Sequence, residues 1–121
     1  VEVVGLEGSR VLDKLTDADA FIQQGPVRIH PPIDNVYLEQ AGEVSFADVS
    51  RNRRILVEKN NGRSTVVWNP GAEGVRAFQD IDDNAWQGML CVEAGNVLDN
   101  AVVIPAESRH LFSMTLSAES L

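Results

Sequence analysis

Residues 89–97 read MLCVEAGNV, a short apolar strand interrupted by a single carboxylate. Side chains of an extended chain point alternately to opposite faces, so Met89, Cys91 and Glu93 share one face and the even-numbered residues share the other. An ionised group among apolar neighbours is costly unless it is paired or used in chemistry. Two interpretations of Glu93 stay open at this point: one solvated face of an ordinary strand, or a carboxylate placed for function.

Short extended segments separated by turn residues continue on both sides of this stretch, and they predict an all-β, mostly antiparallel fold. The predicted strands span residues 1–4, 26–30, 35–39, 44–49, 54–59, 64–68, 89–95, 101–104 and 110–116. Asn60-Asn61-Gly62 is typical of a hairpin turn, because these residues tolerate positive φ, and it predicts that the strands on its two sides pair. Residues 72–81 predict a weak helix, and Asp82 or Asp83 is expected to cap a short turn after it.

The composition limits the classes of partner. Lys and Arg number 10 against 18 Asp and Glu, which gives a formal net charge of −8. Such a surface repels nucleic acid and anionic membrane, so neither is predicted as a partner. No apolar run approaches the roughly 20 residues of a membrane span, and no signal peptide is visible. We therefore expect a globular protein in the cytoplasm.

The number and spacing of the cysteine, histidine and acidic residues do not match a metal site, and we predict no metal or cofactor. Cys91 is the single cysteine, which excludes an internal disulfide or a cysteine-based metal site and predicts a buried, inert thiol. His30 and His110 lie far apart in the sequence, without the spacing of metal ligands. The acidic residues at 80–83 lack the spaced ligands and the glycine of a calcium loop, which favours a solvated acidic turn.

Five segments of the chain occur together, in this order, in one protein family. They are Gly5-Leu6-Glu7-Gly8, Leu12-Asp13-Lys14, Ile33-Asp34-Asn35-Val36-Tyr37-Leu38, Thr65-Val66-Val67-Trp68-Asn69-Pro70 and the stretch at 89–97. Together they closely resemble the D-hexose-6-phosphate mutarotases, also called glucose-6-phosphate 1-epimerases, of the aldose 1-epimerase-like superfamily. The resemblance implies that residues 1–121 are a single partial domain, the C-terminal portion of a galactose-mutarotase-like β-supersandwich.

The resemblance also implies a reaction, the interconversion of the α and β anomers of a hexose or hexose 6-phosphate by ring opening. A base removes the proton of the C1 hydroxyl, an acid protonates the ring oxygen, and no cofactor is needed. Glu93 matches the family's base, and its apolar neighbours Met89 and Cys91 would keep it dry and more basic. Asp34 matches a residue that binds sugar hydroxyls; without the resemblance, it is equally well interpreted as a turn residue.

The resemblance implies that the family's acid histidine and phosphate-binding arginines lie outside this chain. Neither His30 nor His110 occupies the acid position. We expect the chain alone to be inactive and the missing groups to come from residues that precede it. The basic run at residues 51–54 could lie near a phosphate, but a solvated turn is the favoured interpretation.

Several alternatives stay open at the level of the sequence. Trp68 either stacks on a sugar or belongs to the core, and its place at the end of a strand favours the core. Asp13 matches a family position and is expected to have a structural role, and Asn69 is expected to cap a turn. The chain itself is either part of the enzyme or a non-catalytic carbohydrate-binding or self-assembling β-sandwich module, because a detached portion of a sandwich exposes sheet edges that invite self-association.

Overall fold

A computed structural model of the chain describes residues 1–121 and contains two antiparallel β-sheets. The strands are β1 (Glu2–Val4), β2 (Arg10–Asp13), β3 (Phe21–Ile22), β4 (Val27–Arg28), β5 (Ile33–Leu38), β6 (Val44–Asp48), β7 (Arg53–Asn60), β8 (Ser64–Asn69), β9 (Cys91–Gly95) and β10 (Ser113–Ser120). The helical elements are α1 (Gly71–Gly74) and 3-10 turns at Val49–Arg51, Val75–Ala77, Ala85–Gly88 and Leu98–Asn100. None of these helical elements is long or apolar enough to cross a membrane.

Each sheet has five strands. The first sheet has the strand order β10-β7-β6-β1-β4, and the second has the order β3-β2-β5-β8-β9. All pairings are antiparallel. This architecture confirms the predicted all-β, mostly antiparallel fold. It also makes β9, which carries the stretch quoted above, an edge strand of the second sheet.

The hydrophobic core lies between the two sheets and receives side chains from both. It consists of Val3, Leu6, Val11, Val27, Ile33, Tyr37, Val44, Val57 and Val67. Full burial of an aliphatic or aromatic side chain of this kind contributes about 1.5–3 kcal/mol, so this cluster is the main source of stability. Val92 packs against the cluster, so the even-numbered residues of β9 face the core. Glu93, the next residue, therefore points to the outer face of the second sheet.

The turn at residues 60–62 connects the two sheets and does not close a hairpin. β7 pairs with β6 and β10, whereas β8 pairs with β5 and β9. The predicted pairing of the strands on either side of this turn is therefore wrong. The turn chemistry itself is as expected, since Asn61 adopts a φ of 59°. Residues that tolerate positive φ reverse the chain, but they do not specify whether the returning strand lies beside its predecessor or across from it.

Lys59 links the two sheets next to this turn. Its Nζ donates a hydrogen bond to the backbone carbonyl of Ser64 at 3.2 Å and further hydrogen bonds to the side-chain oxygens of Gln40 and Thr65. None of these partners carries a negative charge, so nothing offsets the cost of partly burying the ammonium group. Burial accordingly lowers the pKa of Lys59 to about 8.

The C-terminal part of the chain departs from the predicted strands. Residues 101–104 are not a strand, and the last strand covers residues 113–120 where the sequence predicts 110–116. All residues from 101 to 121 are exposed. The segment 101–104 has no neighbouring strand to pair with its N–H and C=O groups, so an apolar sequence alone does not make it a strand. β10 forms because it pairs with β7 along its whole length.

The helical and remaining strand predictions are confirmed only in part. The helix expected at residues 72–81 is reduced to α1 and the 3-10 turn that follows it, because the glycines at 71 and 74 lower the helix propensity where it begins. The side chain of Asp82 accepts a hydrogen bond from the backbone N–H of Asn84 at 2.8 Å, which stabilises the turn before the 3-10 helix Ala85–Gly88, but the helix itself begins without a side-chain cap. β2 and β3 were not predicted. Apart from residues 101–104, the predicted strands are present, with ends that differ by a few residues.

Candidate functional site

A cavity of about 300 Å³ lies on the outer face of the second sheet. Its lining residues are Lys14, Asp34, Val36, Val66, Trp68, Glu93, Val97 and Leu98. Both site residues predicted from the sequence, Asp34 and Glu93, are in this set. The structure therefore brings together two carboxylates that are far apart in the sequence, in a concave site with apolar and aromatic walls of the kind that binds small molecules.

The strand register fixes how the two carboxylates are placed. Val66 on β8 lies opposite Val36 on one side and opposite Glu93 on the other. Trp68, two residues further along β8, lies opposite Asp34 on the β5 side. β8 therefore runs between the two carboxylates, and the strands that carry them are two strand spacings apart, about 10 Å. The side chains of Val66 and Trp68 form the floor between the carboxylates.

Glu93 is exposed and makes no hydrogen bond or ion pair with the rest of the chain. The expectation that Met89 and Cys91 keep it in a dry environment is wrong for these 121 residues. The reason is its position on an edge strand, where one side of the side chain has no neighbouring strand. Cys91, on the same face of β9, is partly buried; burial, and then the charge of Glu93, raise the pKa of its thiol.

Asp34 is more enclosed than Glu93 and forms an ion pair. Its side chain is 19% exposed, and its Oδ2 lies 3.2 Å from the Nζ of Lys14. The backbone also joins the two residues, because the N–H of Lys14 donates to the carbonyl of Asp34 at 2.9 Å. The sequence analysis assigned no role to Lys14 beyond its place in a resemblance segment. The signal that identifies it is the alternation in β2, which places residues 12 and 14 on the outer face.

Trp68 lines the cavity and is not part of the core, so the favoured core interpretation is wrong. It is half-buried and lies outside the cluster of buried side chains between the sheets. Its neighbours Val67 and Asn69 point inward and are buried, and alternation then turns Trp68 outward. The indole contacts the ring of Phe78 edge to face, with ring centroids 5.8 Å apart and an interplanar angle of 69°.

The loop at residues 96–100 forms one rim of the cavity and is held at several points. Arg10 donates a hydrogen bond from Nη2 to Asp99 at 2.7 Å. The side-chain oxygen of the buried Asn100 accepts a hydrogen bond from the backbone N–H of Glu39 at 2.9 Å and another from the hydroxyl of Ser64 at 3.1 Å. Leu98 has a φ of 52°, which non-glycine residues adopt rarely. These contacts hold the loop so that the side chain of Leu98 lines the cavity.

Asn69 fixes the path of the chain into β9. It is buried at the end of β8, and its Nδ2 donates to the carbonyls of Trp86 and Met89 at 2.7 and 2.8 Å. Its Oδ1 accepts a hydrogen bond from the N–H of Gly71 at 2.9 Å. The expected turn role of Asn69 is confirmed, and the residue also anchors the segment that leads to Glu93. Asp13, for which a structural role was expected, stabilises a turn, because its side chain accepts a hydrogen bond from the N–H of residue 15 at 2.9 Å.

The other candidates lie outside the cavity. Neither His30 nor His110 lines it. Arg51 and Arg53 lie 3.3 and 3.0 Å from a carboxylate oxygen of Asp48, in agreement with a solvated basic turn. A hydrogen bond from the hydroxyl of residue 50, followed by those from the two arginines, lowers the pKa of Asp48 to about 2. No group of three or more His, Cys, Asp or Glu side chains is arranged to hold a metal ion.

Comparisons with known proteins agree with this fold. The sequence profile named "Aldose 1-epimerase" matches residues 1–117. A protein from Cenchrus ciliaris, provisionally named a glucose-6-phosphate 1-epimerase, is 32% identical over 108 residues, which are 88% of this chain and 33% of that protein. The crystal structure of YeaD from Salmonella typhimurium, provisionally named a mutarotase, superposes with a TM-score of 0.79 at 23% identity, over 99% of this chain and 40% of that one. The chain thus spans about a third of the length of the curated relative that it matches.

Proposed function

This chain belongs to the aldose 1-epimerase family, and from that premise we propose that it is the C-terminal portion of a hexose-6-phosphate mutarotase. The chain would supply a partial domain of a β-supersandwich. The whole protein would bind a hexose or hexose 6-phosphate and interconvert its α and β anomers. The names of the two similar proteins, a glucose-6-phosphate 1-epimerase and a mutarotase, support this reaction class.

In the proposed mechanism, Glu93 is the general base and Asp34 binds the sugar. Glu93 accepts the proton of the C1 hydroxyl, and the C1–O5 bond breaks as a separate acid protonates the ring oxygen. The C1 carbonyl group then rotates and the ring closes on its other face, with the protons returned. Asp34, held by Lys14, accepts hydrogen bonds from sugar hydroxyls and fixes the ring. The acid would come from residues outside these 121, so the chain alone is expected to be inactive.

The observation that carries this proposal is the placement of Glu93 and Asp34 on the two sides of β8 in one cavity. A separation of about 10 Å between their strands leaves room for one pyranose ring between the side chains. Glu93 makes no ion pair, so its carboxylate is free to take a proton. The edge beside β9 has no neighbouring strand, and an acid from another part of the protein has access there.

The proposal includes a cytoplasmic location, because hexose phosphates are charged metabolites that membranes retain. It includes no metal or cofactor, since the acid and the base together complete the reaction. Fractionation of cells that express the gene product at its natural level tests the location. Recovery in the membrane or secreted fraction would contradict it.

The direct test is a coupled anomerisation assay on the gene product that contains these 121 residues. Pure α-D-glucose 6-phosphate is the substrate, a dehydrogenase specific for the β anomer follows the product, and the spontaneous rate is subtracted. Removal of a general base costs about 100- to 10,000-fold in rate, so Glu93→Gln is expected to lower kcat by at least the smaller factor. Glu43→Gln, at an exposed carboxylate in the loop before β6, is the matched control. A Glu93→Gln variant as fast as this control would remove Glu93 from its role.

A second candidate, a self-assembling module, is favoured by the exposed face of β10. Leu116 lies opposite the buried Val57, so it faces the core side, yet it is 64% exposed. Met114 on the same face is 48% exposed, and Val103 in the preceding segment is 89% exposed. Exposed apolar surface of this kind marks an interaction site. The isolated chain is then expected to associate with copies of itself through β10.

Sedimentation velocity over a concentration series tests self-association of the 121-residue chain. A concentration-dependent shift to dimer or larger species is expected, and Leu116→Lys is expected to reduce it because the substitution puts a charge on the exposed face. Thr115→Lys, on the opposite face of β10, is the control. A chain that stays monomeric throughout would count against the second candidate and leave the enzyme proposal untouched.

A further inference from the structure

We propose that Trp68 is the platform on which the sugar ring rests, and that Phe78 positions its indole. This inference rests on the proposed function, because it assumes that a sugar occupies the cavity between Asp34 and Glu93. It adds a residue for which the sequence favoured a different role. Trp68 would contact the substrate directly, and Phe78 would act through Trp68.

The strand order determines which side chains lie beneath a sugar ring that is bound between the two carboxylates. β8 is the strand between β5 and β9, and its outward side chains in this region are Val66 and Trp68. Any molecule that reaches Asp34 with one hydroxyl and Glu93 with another must cross β8. It therefore lies over Val66 and Trp68, and both residues line the cavity.

The chemistry of a pyranose ring fits this floor. Its hydroxyls point mainly outward from the rim, while the C–H groups form two weakly polar faces. Such a face buries its C–H groups against an aromatic ring, whose negative face attracts their partial positive charge. The hydroxyls at the rim remain free to reach the carboxylates on either side. Apolar walls with a few placed polar groups are the usual composition of a small-molecule site.

The position of Trp68 also predicts which kinetic constant it controls. Trp68 lies in the register row of Asp34, whereas Glu93 lies in the row of Val66. The indole is thus displaced along the strand from the proposed base and is expected to contact the part of the ring away from C1. A contact of this kind is similar for both anomers and for the transition state. Such uniform binding affects KM and leaves kcat nearly unchanged.

Phe78 is suited to hold the indole in place from outside the sheet. It follows the 3-10 turn at Val75–Ala77, and its backbone N–H donates to the carbonyl of Val75 at 3.0 Å. The buried side chain of Val75 anchors this segment. The ring of Phe78 contacts the indole of Trp68 edge to face. This contact holds the indole in place, and Phe78 itself does not line the cavity.

Fluorescence of a single indole tests the contact directly. The chain has two tryptophans, and Trp86 does not line the cavity, so Trp86→Phe leaves Trp68 as the one indole of these 121 residues. The part of the emission change that a second variant, Trp68→Phe, abolishes is then assigned to Trp68. Titration of this gene product with glucose 6-phosphate and with glucose is expected to give a saturable change in emission. The matched variant Trp68→Phe, which keeps Trp86, is expected to lose the part of this change that comes from Trp68. Equal changes in both variants, or no change in Trp86→Phe at sugar concentrations that saturate catalysis, would overturn the proposal.

Steady-state kinetics separate a platform from a structural residue. Trp68→Leu is expected to raise KM about tenfold, with kcat within about twofold of the wild type. Phe78→Leu is expected to raise KM less, by about threefold, and Phe78→Tyr to restore it, because the ring is retained and residue 78 is 40% exposed. A wild-type KM in Trp68→Leu would overturn the platform. A fall in kcat with unchanged KM would also overturn it.

The two experiments distinguish failure of this inference from failure of the proposed function. If the wild-type gene product does not catalyse anomerisation but the emission of Trp68 responds to sugar, the proposed reaction is wrong and the platform stands. If the reaction is catalysed and depends on Glu93, while Trp68→Leu binds sugar normally, the platform is wrong and the reaction stands. If the wild type neither reacts with sugar nor binds it, both are wrong.

Discussion

Replacement of Asn69 by alanine is expected to loosen the path into β9 and to lower the stability of the whole chain. The buried side chain makes three hydrogen bonds, two as a donor to backbone carbonyls and one as an acceptor from a backbone N–H. The net contribution of each bond is about 1 kcal/mol, so the three together contribute about 3 kcal/mol. A loss of this size is a large fraction of the roughly 5–15 kcal/mol that stabilises a typical domain.

The assay is urea denaturation of Asn69→Ala, followed by fluorescence, with Asn84→Ala as the matched control. Asn84 is exposed in the same connection, and its side chain makes no hydrogen bond, so its replacement is expected to change the free energy of unfolding by less than about 0.5 kcal/mol. Hydrogen exchange is expected to be faster at the amides of β9 than at those of β5 in Asn69→Ala. Equal unfolding free energies for the two variants would refute the anchoring role of Asn69.

An aspartate substitution at the same position tests the direction of the hydrogen bonds. Asn69→Asp keeps the acceptor for the N–H of Gly71 but replaces the donor with an oxygen that faces two carbonyl oxygens. We expect this variant to be less stable than Asn69→Ala at pH 7, and to recover part of the difference near pH 4, where the carboxyl is protonated and can donate. An Asn69→Asp variant as stable as the wild type at pH 7 would mean that the amide is not the donor.

Two further predictions concern a titration and a backbone conformation. Burial lowers the pKa of Lys59 from 10.5 to about 8, so the unfolded chain binds more protons between these values and stability is expected to rise with pH across this window. Lys59 is only partly buried and solvent screens part of the effect, so the rise is expected to be about 1–2 kcal/mol. In urea denaturation from pH 8 to 10, the free energy of unfolding is expected to rise less steeply with pH in Lys59→Met; equal slopes would contradict the assignment. Gly71→Ala is expected to destabilise the chain by about 1–2 kcal/mol, because φ at Gly71 is +68° and the new Cβ would lie 3.0 Å from the backbone nitrogen of Pro32. Gly88→Ala, which would have no atom within 4 Å and has no positive φ, is the control, and equal losses for the two variants would show that the conformation at Gly71 is not responsible.

Local patterns in the sequence predict the parts of the fold that depend on side-chain alternation. The period of two in β9 places Val92 and Glu93 on opposite faces, and the structure has Val92 against the core and Glu93 in the cavity on the outer face. The family resemblance adds Asp34, and the structure brings it into the same cavity as Glu93. These predictions succeed because a slip of one residue would move a charge into the core, which a folded chain does not tolerate.

The errors occur where the sequence does not specify which strand lies next to which. The turn at residues 60–62 has the chemistry of a hairpin, yet it joins strands of different sheets, because pairing partners are set by the whole fold. The segment at 101–104 is apolar enough for a strand but has no neighbour. The exposure of Glu93 likewise follows from the position of β9 at a sheet edge, which residues 89–97 do not encode.

β8 shows how a single six-residue strand serves both stability and the proposed chemistry. Its inward residues are buried: Val67 is part of the core, and Asn69 stabilises the turn that follows the strand. Its outward residues Val66 and Trp68 line the cavity. Since the two sets alternate, substitutions at adjacent positions are expected to have separate effects. Changes at 67 or 69 lower the free energy of unfolding, and changes at 66 or 68 alter sugar binding with little loss of stability. The sequence analysis assigned Trp68 to the core because it ends an apolar strand. The next residue, Asn69, must face inward to make its hydrogen bonds, and alternation therefore places Trp68 on the outer face of the sheet.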